Sequence, residues 1–225
     1  MTMRTLSTVI SVGILLTLTA CATPAPGSGD RSRNPAGDSA GGSVDRLGLT
    51  MPAPPRSEVS AQGTVMDVRG DVELCLGAIM ESYPPQCSGI PMSGWSWDGV
   101  EGWEESGTGE SGTIRWGAYA VQGTYDGTAF TSRQPPIPLA LYDPIAFADP
   151  TGGATGAADE ATVAELQDLL PERLGADGSF YLGSYPERGY LWVDVIWDDG
   201  TLQQAADAEF GDDVVVIRSA LREVG

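Results

Sequence analysis

A two-residue periodicity of apolar positions marks the first half of the chain, which is typical of half-buried β-strands. The segment 72–76 shows this alternation, and 63–68 predicts a strand just before it. The clearest element is a hairpin over 116–133. Its Asp126–Gly127 pair predicts a two-residue turn, because both central positions of such a turn need positive φ.

Helical periodicity begins after residue 159. Apolar residues between Val163 and Leu170 fall on one helix face. Asp159 is a candidate N-cap, because its carboxylate can accept a hydrogen bond from an N–H of the first turn. We expect this helix to end at Pro171 or at Gly175.

Residues 189–197 are apolar on both faces, which favours a central strand covered on two sides. A second helix is predicted after Asp198–Gly200, with Asp199 as its cap and Gly211 just past its end. Residues 214–218 then predict another strand. Because a strand–helix–strand crossover of this length joins parallel neighbours, we expect 189–197 and 214–218 to pair in parallel.

Together these elements predict an α+β chain with two folded units. The first, 61–135, is a small β-barrel or β-sheet unit, and it resembles barrels of the oligonucleotide/oligosaccharide-binding (OB) type. The second, 159–225, is a small α/β sandwich. Between them, 136–158 begins with a Pro-rich part, which we expect to pack on the barrel as extended chain, and ends in a Gly-rich hinge.

Residues 1–20 have the order of a secretory signal peptide, with one charge, Arg4, before an apolar run from Val9 to Leu18. That run is too short to span a bilayer permanently, which takes about 20 residues. The closing tetrapeptide Leu18–Cys21 resembles a bacterial lipobox. The resemblance implies that Cys21 carries the lipid, with acyl chains such as palmitate, and begins the mature protein. An ordinary cleaved signal followed by an unrelated Cys is the alternative.

Residues 21–60 predict a lipidated, disordered tether. They are rich in Pro, Gly, Ser and Ala, and they cannot bury enough apolar surface to offset the entropy of ordering. A flexible chain of this length spans about 35 Å root-mean-square, which would hold the folded units away from the membrane.

The order of the parts along the chain carries a further resemblance. A lipobox, a tether, a β unit containing CLGAIMESYPPQC and a C-terminal strand ending in VVVIRSALREVG together resemble exported lipoproteins of actinobacteria. This resemblance implies a lipid anchor on the extracytoplasmic face of the cell membrane, and it implies no activity.

The charge balance excludes several classes of function. Against 31 acidic residues stand 12 basic ones, all Arg, which gives a formal net charge of −19. This field repels nucleic-acid phosphates and favours neutral or basic partners. Because the chain has no His and no Lys, it cannot form a Ser-His-Asp triad, an imidazole metal site or a lysine Schiff base. We expect no cofactor and no resident metal ion.

Two cysteines remain beyond Cys21. Cys75 and Cys87 both lie on the exported side, where disulfides persist, and eleven residues separate them, unlike the close pair of a thiol oxidoreductase. We therefore predict a structural disulfide, which stabilises a small fold by about 3 kcal/mol in the chain-entropy model.

The segment 94–112 concentrates aromatic and acidic residues in a Gly-rich loop. An anchoring aromatic beside carboxylates suits a sugar, a cationic peptide or Ca²⁺. The candidate binding residues are Trp103, Glu104, Glu105 and Asp98. The alternative is a solvated acidic loop with Trp95 and Trp97 buried in the barrel.

These observations predict a non-catalytic binding module with an acidic surface, whose partner is a neutral or basic protein or a cell-wall component. Two alternatives stay open. One is a glycosidase-like hydrolase, since paired carboxylates need neither His nor Lys, and the other is weak Ca²⁺ binding. Asp194, in mid-strand between apolar neighbours, is either an acid with a raised pKa or a carboxylate held by a hydrogen-bond partner.

Overall fold

The structure is a computed structural model that describes residues 46–107, 112–144, 146, 149–175 and 180–224. The predicted signal peptide, Cys21 and the tether up to residue 45 lie outside these ranges, as do residues 108–111 of the candidate loop. All described residues belong to one compact unit.

The described elements form one larger and one smaller sheet with two helices. Eight strands make the larger sheet and three make the smaller. In chain order the elements are β1 (Val59–Val68), β2 (Asp71–Cys75), β3 (Ile90–Ser93), β4 (Trp103–Ser106), β5 (Ile114–Tyr125), β6 (Phe130–Ser132), β7 (Ile137–Pro138), α1 (Glu160–Leu174), β8 (Tyr181–Glu187), β9 (Tyr190–Val195), α2 (Thr201–Phe210), β10 (Val215–Ser219) and β11 (Arg222–Glu223).

Five strands of the larger sheet close into a barrel. Their order is β1-β2-β3-β6-β5, and β5 closes the ring by pairing with β1 from Val59–Gly123 to Val68–Ile114. β3 and β6 are parallel, whereas the other neighbours in the ring are antiparallel. The predicted fold class, a small barrel followed by an α/β unit, is confirmed.

The predicted hairpin joins β5 to β6, but its turn lies one residue later than expected. The Asp126 N–H donates to the Ala129 carbonyl oxygen at 3.2 Å, so Gly127 and Thr128 occupy the centre of the turn. The Asp126 carboxylate accepts hydrogen bonds from the N–H groups of Ala129 and Thr128 at 2.8 and 2.9 Å, and these bonds lower its pKa. Asp favours the position before a turn because its side chain satisfies the backbone donors of the turn.

The smaller sheet has the order β10-β9-β8, and β9 and β10 are parallel neighbours, as predicted. Both helices pack on one face of this sheet, against Leu191, Val193 and Val195 of β9. Because side chains alternate along a strand, the other face of β9 presents Tyr190 and Trp192.

The first helix begins where the sequence predicts. The Asp159 carboxylate accepts the Thr162 N–H at 2.8 Å as its N-cap. Of the two predicted stops, Gly175 is the one used, because it takes a left-handed φ of +83° at the end of α1. Pro171 lies inside the helix.

The barrel and the smaller sheet share packing and pairing. β11 pairs with β1 through Val59–Glu223 and Ser60–Arg222. Ile196 and Leu221, which flank β9 and β10, are buried in the core cluster of the barrel. In the predicted Pro-rich segment, Ile137 and Pro138 of β7 pair with β5, and Leu139–Leu141 form a short 3₁₀ turn.

The C-terminal end of the predicted tether requires a correction, because residues 46–58 lie against the folded body. Leu47 is only 1% exposed and packs in the core formed by both helices and β9. The Ala53 carbonyl accepts the Trp197 indole N–H at 2.8 Å, and the Asp199 carboxylate accepts the Ala53 N–H at 3.1 Å. These contacts fix a segment whose composition alone predicts disorder, so residue 60 is too late a boundary.

Candidate functional site

The predicted disulfide is confirmed. Cys75, at the end of β2, is bonded to Cys87, with their Cα atoms 6.2 Å apart. The bond closes a loop whose Tyr83 side chain is exposed. The Tyr83 hydroxyl donates to the Glu105 carbonyl oxygen at 3.5 Å, and its ring meets Trp116 edge-on with centroids 5.5 Å apart. The disulfide loop therefore lies beside β4.

Four aromatic residues, Trp95, Trp97, Trp103 and Tyr119, form a cluster that we call the aromatic cap. The Trp97 ring lies 5.1 Å from Trp95 and 6.0 Å from Trp103, and the Trp95 ring lies 5.3 Å from Tyr119. Trp95 and Trp97 are half-buried and pack against the barrel core. Both predictions for segment 94–112 therefore hold in part. Trp95 and Trp97 pack against the barrel core, whereas Trp103 is partly exposed at the surface.

Three hydrogen bonds hold the loop 94–102 in this arrangement. The Tyr119 hydroxyl donates to the Glu101 carbonyl oxygen at 3.0 Å, and the Trp103 indole N–H donates to the Val100 carbonyl oxygen at 3.1 Å. The Trp97 indole N–H donates to the Asp67 carboxylate at 2.8 Å. Tyr119, Trp97 and Trp103 thus each have their polar group hydrogen-bonded, whereas the buried indole N–H of Trp95 has no partner among the described residues.

Trp103, Glu104 and Glu105 do not lie in a loop, as the sequence predicts, but in strand β4. They pair with Gly117, Trp116 and Arg115 of β5. The glycines around them suggest a loop, but the cross-strand pairs with β5 make this segment a strand. Because successive side chains point to opposite faces, Trp103 and Glu105 share one face and Glu104 lies on the other.

Arg115 links the two side chains that share a face. Its guanidinium lies 5.3 Å from the centre of the Trp103 ring, and its Nε lies 3.5 Å from a Glu105 carboxylate oxygen. This cation–π contact and ion pair hold the Trp103 indole, which remains 37% exposed. Because the ion pair is well exposed to solvent, it contributes little to stability.

Two of the predicted acids stay available on the surface. Within the described ranges, neither the Asp98 nor the Glu104 carboxylate makes a hydrogen bond or an ion pair, and both residues are exposed. Asp98 lies in the loop of the aromatic cap and Glu104 on the far face of β4, so the structure does not gather all four predicted residues on one face. In the part of the chain that the structure describes, no group of three or more acidic or cysteine side chains is placed to hold a metal ion.

A second candidate site is a cleft of about 700 Å³ between the barrel and the smaller sheet. Asp194 of β9 and Arg218 of β10 line it and form a bidentate ion pair, with N–O distances of 2.6 and 2.8 Å. Hydrogen bonding to Asp194 raises the pKa of Arg218, although burial acts in the opposite direction. The sequence allows Asp194 to be either an acid with a raised pKa or a carboxylate held by a hydrogen-bond partner. In the structure Arg218 is that partner.

The second carboxylate of the cleft is also held by neighbours. Glu223 accepts the backbone N–H groups of Arg56 and Ser57 at 3.1 and 3.3 Å. Hydrogen bonding from Ser57, with that from Arg56, lowers the pKa of Glu223. The Asp194 and Glu223 carboxylates therefore both accept hydrogen bonds from neighbouring groups.

Asp198 also departs from the prediction, since it shares the capping of α2 with Asp199. The Asp198 carboxylate accepts the Leu202 N–H at 2.9 Å, whereas Asp199 accepts the Thr201 N–H at 3.1 Å. Burial raises the pKa of Asp198 despite these hydrogen bonds. Asp198 also accepts the Gln203 N–H at 3.3 Å, so its carboxylate caps the start of α2.

The sequence does not predict the cleft. Arg218 and its aromatic support, Tyr185, are the residues that were missed: the guanidinium lies 5.5 Å from the Tyr185 ring, which stacks on Trp192 at 6.3 Å. The one sequence feature that pointed to this pair is the predicted parallel pairing of 189–197 with 214–218. In the register that the structure shows, this pairing places Arg218 opposite Asp194.

Comparison with protein-family models, with curated proteins and with solved structures found no match to this chain. Neither described helix has the length and apolar character needed to cross a membrane.

Proposed function

We propose that this chain is an exported, lipid-anchored binding protein that takes a neutral or basic protein or cell-wall component at the Trp103 surface, defined as Trp103 and Glu105, which share a face of β4, with Asp98 of the preceding loop. The observation that carries the proposal is the state of Trp103. Its indole is fixed by Trp97, Arg115 and the Val100 carbonyl, yet it remains more than one-third exposed. A preorganised aromatic loses little entropy on binding, which is why such residues anchor interfaces.

The charge distribution supports the choice of partner. Between residues 61 and 133 three Arg stand against ten acidic residues, and between 159 and 225 four Arg stand against fifteen. Both parts of the chain therefore repel nucleic acid and attract basic surfaces. Association with a basic partner should slow as the salt concentration rises.

The cleft supports binding over hydrolysis. A glycosidase needs one carboxyl group as the acid and a second carboxylate as base or nucleophile, facing each other across the substrate. Asp194 is committed to Arg218, and Glu223 is committed to the backbone of Arg56 and Ser57. The acid of such a pair must be protonated, and the hydrogen bonds that Glu223 accepts lower its pKa, which does not suit that role.

The test of the Trp103 surface is the variant Trp103→Ala combined with Asp98→Asn and Glu105→Gln. We expect at least tenfold weaker binding, measured by fluorescence anisotropy of a labelled Lys-rich peptide and by sedimentation with isolated cell-wall material, because the variant removes the anchor and its charges. The matched control is Leu49→Ala with Glu160→Gln and Glu165→Gln, which removes one exposed apolar and two exposed acidic side chains elsewhere. Equal losses in both variants, or none in the first, would contradict the assignment.

The anchor is tested separately by Cys21→Ala. If Cys21 carries acyl chains, the variant should leave the membrane fraction or persist as unprocessed precursor, because stable anchoring needs more than one chain in the bilayer. Fractionation and mass spectrometry of the mature N-terminus measure this. The control is Cys75→Ala with Cys87→Ala, which should stay in the membrane fraction. A mature N-terminus at another residue would refute the lipid anchor.

A further inference from the structure

A groove lies beside the aromatic cap, between the loop 94–101 and the segment 132–141. We call it the proline groove, because Pro135, Pro136 and Pro138 line one of its walls. Its volume of about 470 Å³ lies within the range of about 300–1,000 Å³ that ligand pockets occupy. Asp98 belongs both to this groove and to the Trp103 surface, so the two features adjoin.

Hydrogen bonds fix both walls of the proline groove. In the first wall, the Glu101 carbonyl oxygen accepts the Tyr119 hydroxyl at 3.0 Å. In the second, the backbone N–H groups of Arg133 and Gln134 both donate to the Gln122 carbonyl oxygen, at 2.9 and 3.3 Å. The pairing of β7 with β5 holds the chain that follows. Because the walls are already ordered, a ligand loses little free energy in arranging them.

The charged side chains of the groove point to a cationic ligand group. Among the described residues, the Asp98 and Glu101 carboxylates and the Arg133 guanidinium form no hydrogen bond or ion pair, and all three residues are exposed. The larger cleft differs, because Asp194 and Arg218 pair with each other there. Two unpaired carboxylates against one guanidinium, in a chain with a formal net charge of −19, favour a ligand that brings positive charge.

The apolar part of the groove favours a peptide over a sugar. Leu141 is 77% exposed, and together with Pro135 and Pro138 it presents an aliphatic edge. Such an edge gains free energy by burying apolar surface, which an apolar side chain supplies better than a hydroxylated sugar does. The side chains of Arg133 and Gln134 carry N–H donors, which suit the carbonyl oxygens of a peptide backbone.

We propose that the proline groove binds an extended peptide segment of a partner protein, in which a Lys or Arg side chain lies beside an apolar one. The cationic side chain meets Asp98 and Glu101, and the apolar side chain covers Leu141. Arg133 and the Gln134 amide donate to backbone carbonyl oxygens. This inference rests on the proposed function, because the groove adjoins the Trp103 surface, and it narrows the partner to a protein with a basic segment.

The test is fluorescence anisotropy of labelled octapeptides with the full-length chain in detergent, and detergent alone is the blank. The parent peptide is Gly-Ser-Ala-Lys-Leu-Ala-Ser-Gly, and two altered peptides replace its Lys by Gln or its Leu by Ser. We expect the parent to bind and each altered peptide to bind at least tenfold more weakly. Absence of parent binding, an altered peptide that binds as tightly, or displacement of the parent by a tetramer of N-acetylglucosamine would overturn the proposal.

A variant locates the binding. Leu141→Ser with Glu101→Gln removes the aliphatic edge and one carboxylate at exposed positions outside the Trp103 surface, so the fold should persist while affinity for the parent peptide falls at least tenfold. Its matched control is Leu49→Ser with Glu160→Gln, at exposed positions outside the groove, which should bind as the unmodified chain does. Unchanged affinity in the groove variant, or equal losses in both, would place the peptide elsewhere and refute the assignment.

The inference and the proposed function fail in different ways. If cell-wall material binds through the Trp103 surface while the three octapeptides bind alike, the groove is not a peptide site and the proposed function stands. If the groove variant loses the parent peptide while Trp103→Ala changes the binding of neither the peptide nor the cell-wall material, the groove is the peptide site and the Trp103 surface is not a binding surface.

Discussion

Replacing Leu47 with Ala should lower the free energy of unfolding by about 2–5 kcal/mol, the range for a buried Leu whose loss leaves a cavity. The side chain is 1% exposed and packs among Leu residues of both helices and β9. Its backbone N–H also donates to the Glu209 carboxylate at 3.0 Å, and Glu209 pairs with Arg173 at 2.6 Å. Urea denaturation of the full-length chain, followed by intrinsic fluorescence, measures the change.

Leu49→Ala is the matched control, since the same substitution two residues along the chain removes a side chain that is 74% exposed. We expect a change within about 0.5 kcal/mol, as for surface substitutions generally. If the two variants lose the same free energy of unfolding, or if Leu47→Ala loses none, then residues 46–58 do not pack against the folded body as the structure shows.

Leu47 illustrates a class of contact that periodicity does not reveal. Leu47 alternates with Leu49 and Met51 in a stretch otherwise made of Pro, Gly, Ala and polar residues, yet Leu49 and Met51 are exposed and only Leu47 is buried. Its burial depends on a hollow formed by elements more than 100 residues later in the chain. Composition therefore extends the predicted tether to residue 60, whereas the structure fixes the chain from residue 46.

The barrel and the smaller sheet were predictable because their signals are local. Alternation, an Asp-Gly turn and an Asp N-cap each depend on a few neighbouring residues. The pairing of β11 with β1 has no such signal, since β11 is only two residues long. Long-range pairing of this kind is what joins the C-terminal segment to the barrel.

The candidate sites show the same division between composition and geometry. The concentration of Trp and Glu residues in 94–112 identified the Trp103 surface. The face on which each side chain lies depends on strand β4, and the glycines around this strand make it look like a loop in the sequence. The Asp194–Arg218 pair needs the register of β9 and β10, which the sequence does not supply. Chemistry-bearing residues are thus easier to predict than their partners.

Removing the disulfide through Cys75→Ala with Cys87→Ala should cost about 3 kcal/mol, because the unfolded chain regains the freedom that the closed loop denies it. Alanine is the replacement of choice, since Cys75 is buried beside Met66 and Trp116 and a serine hydroxyl there would lack a partner. The folded structure should persist at room temperature with a lower thermal midpoint. Circular dichroism melting of the full-length chain measures the shift.

A reducing agent supplies the internal control. Dithiothreitol should lower the midpoint of the unmodified chain to nearly that of the double variant, and it should leave the double variant unchanged, because Cys21 takes no part in the bridge. Peptide mapping without reduction should recover Cys75 and Cys87 in one linked fragment. Two free, alkylatable thiols in the native exported protein, or a double variant as stable as its parent, would show that the barrel does not depend on this bond.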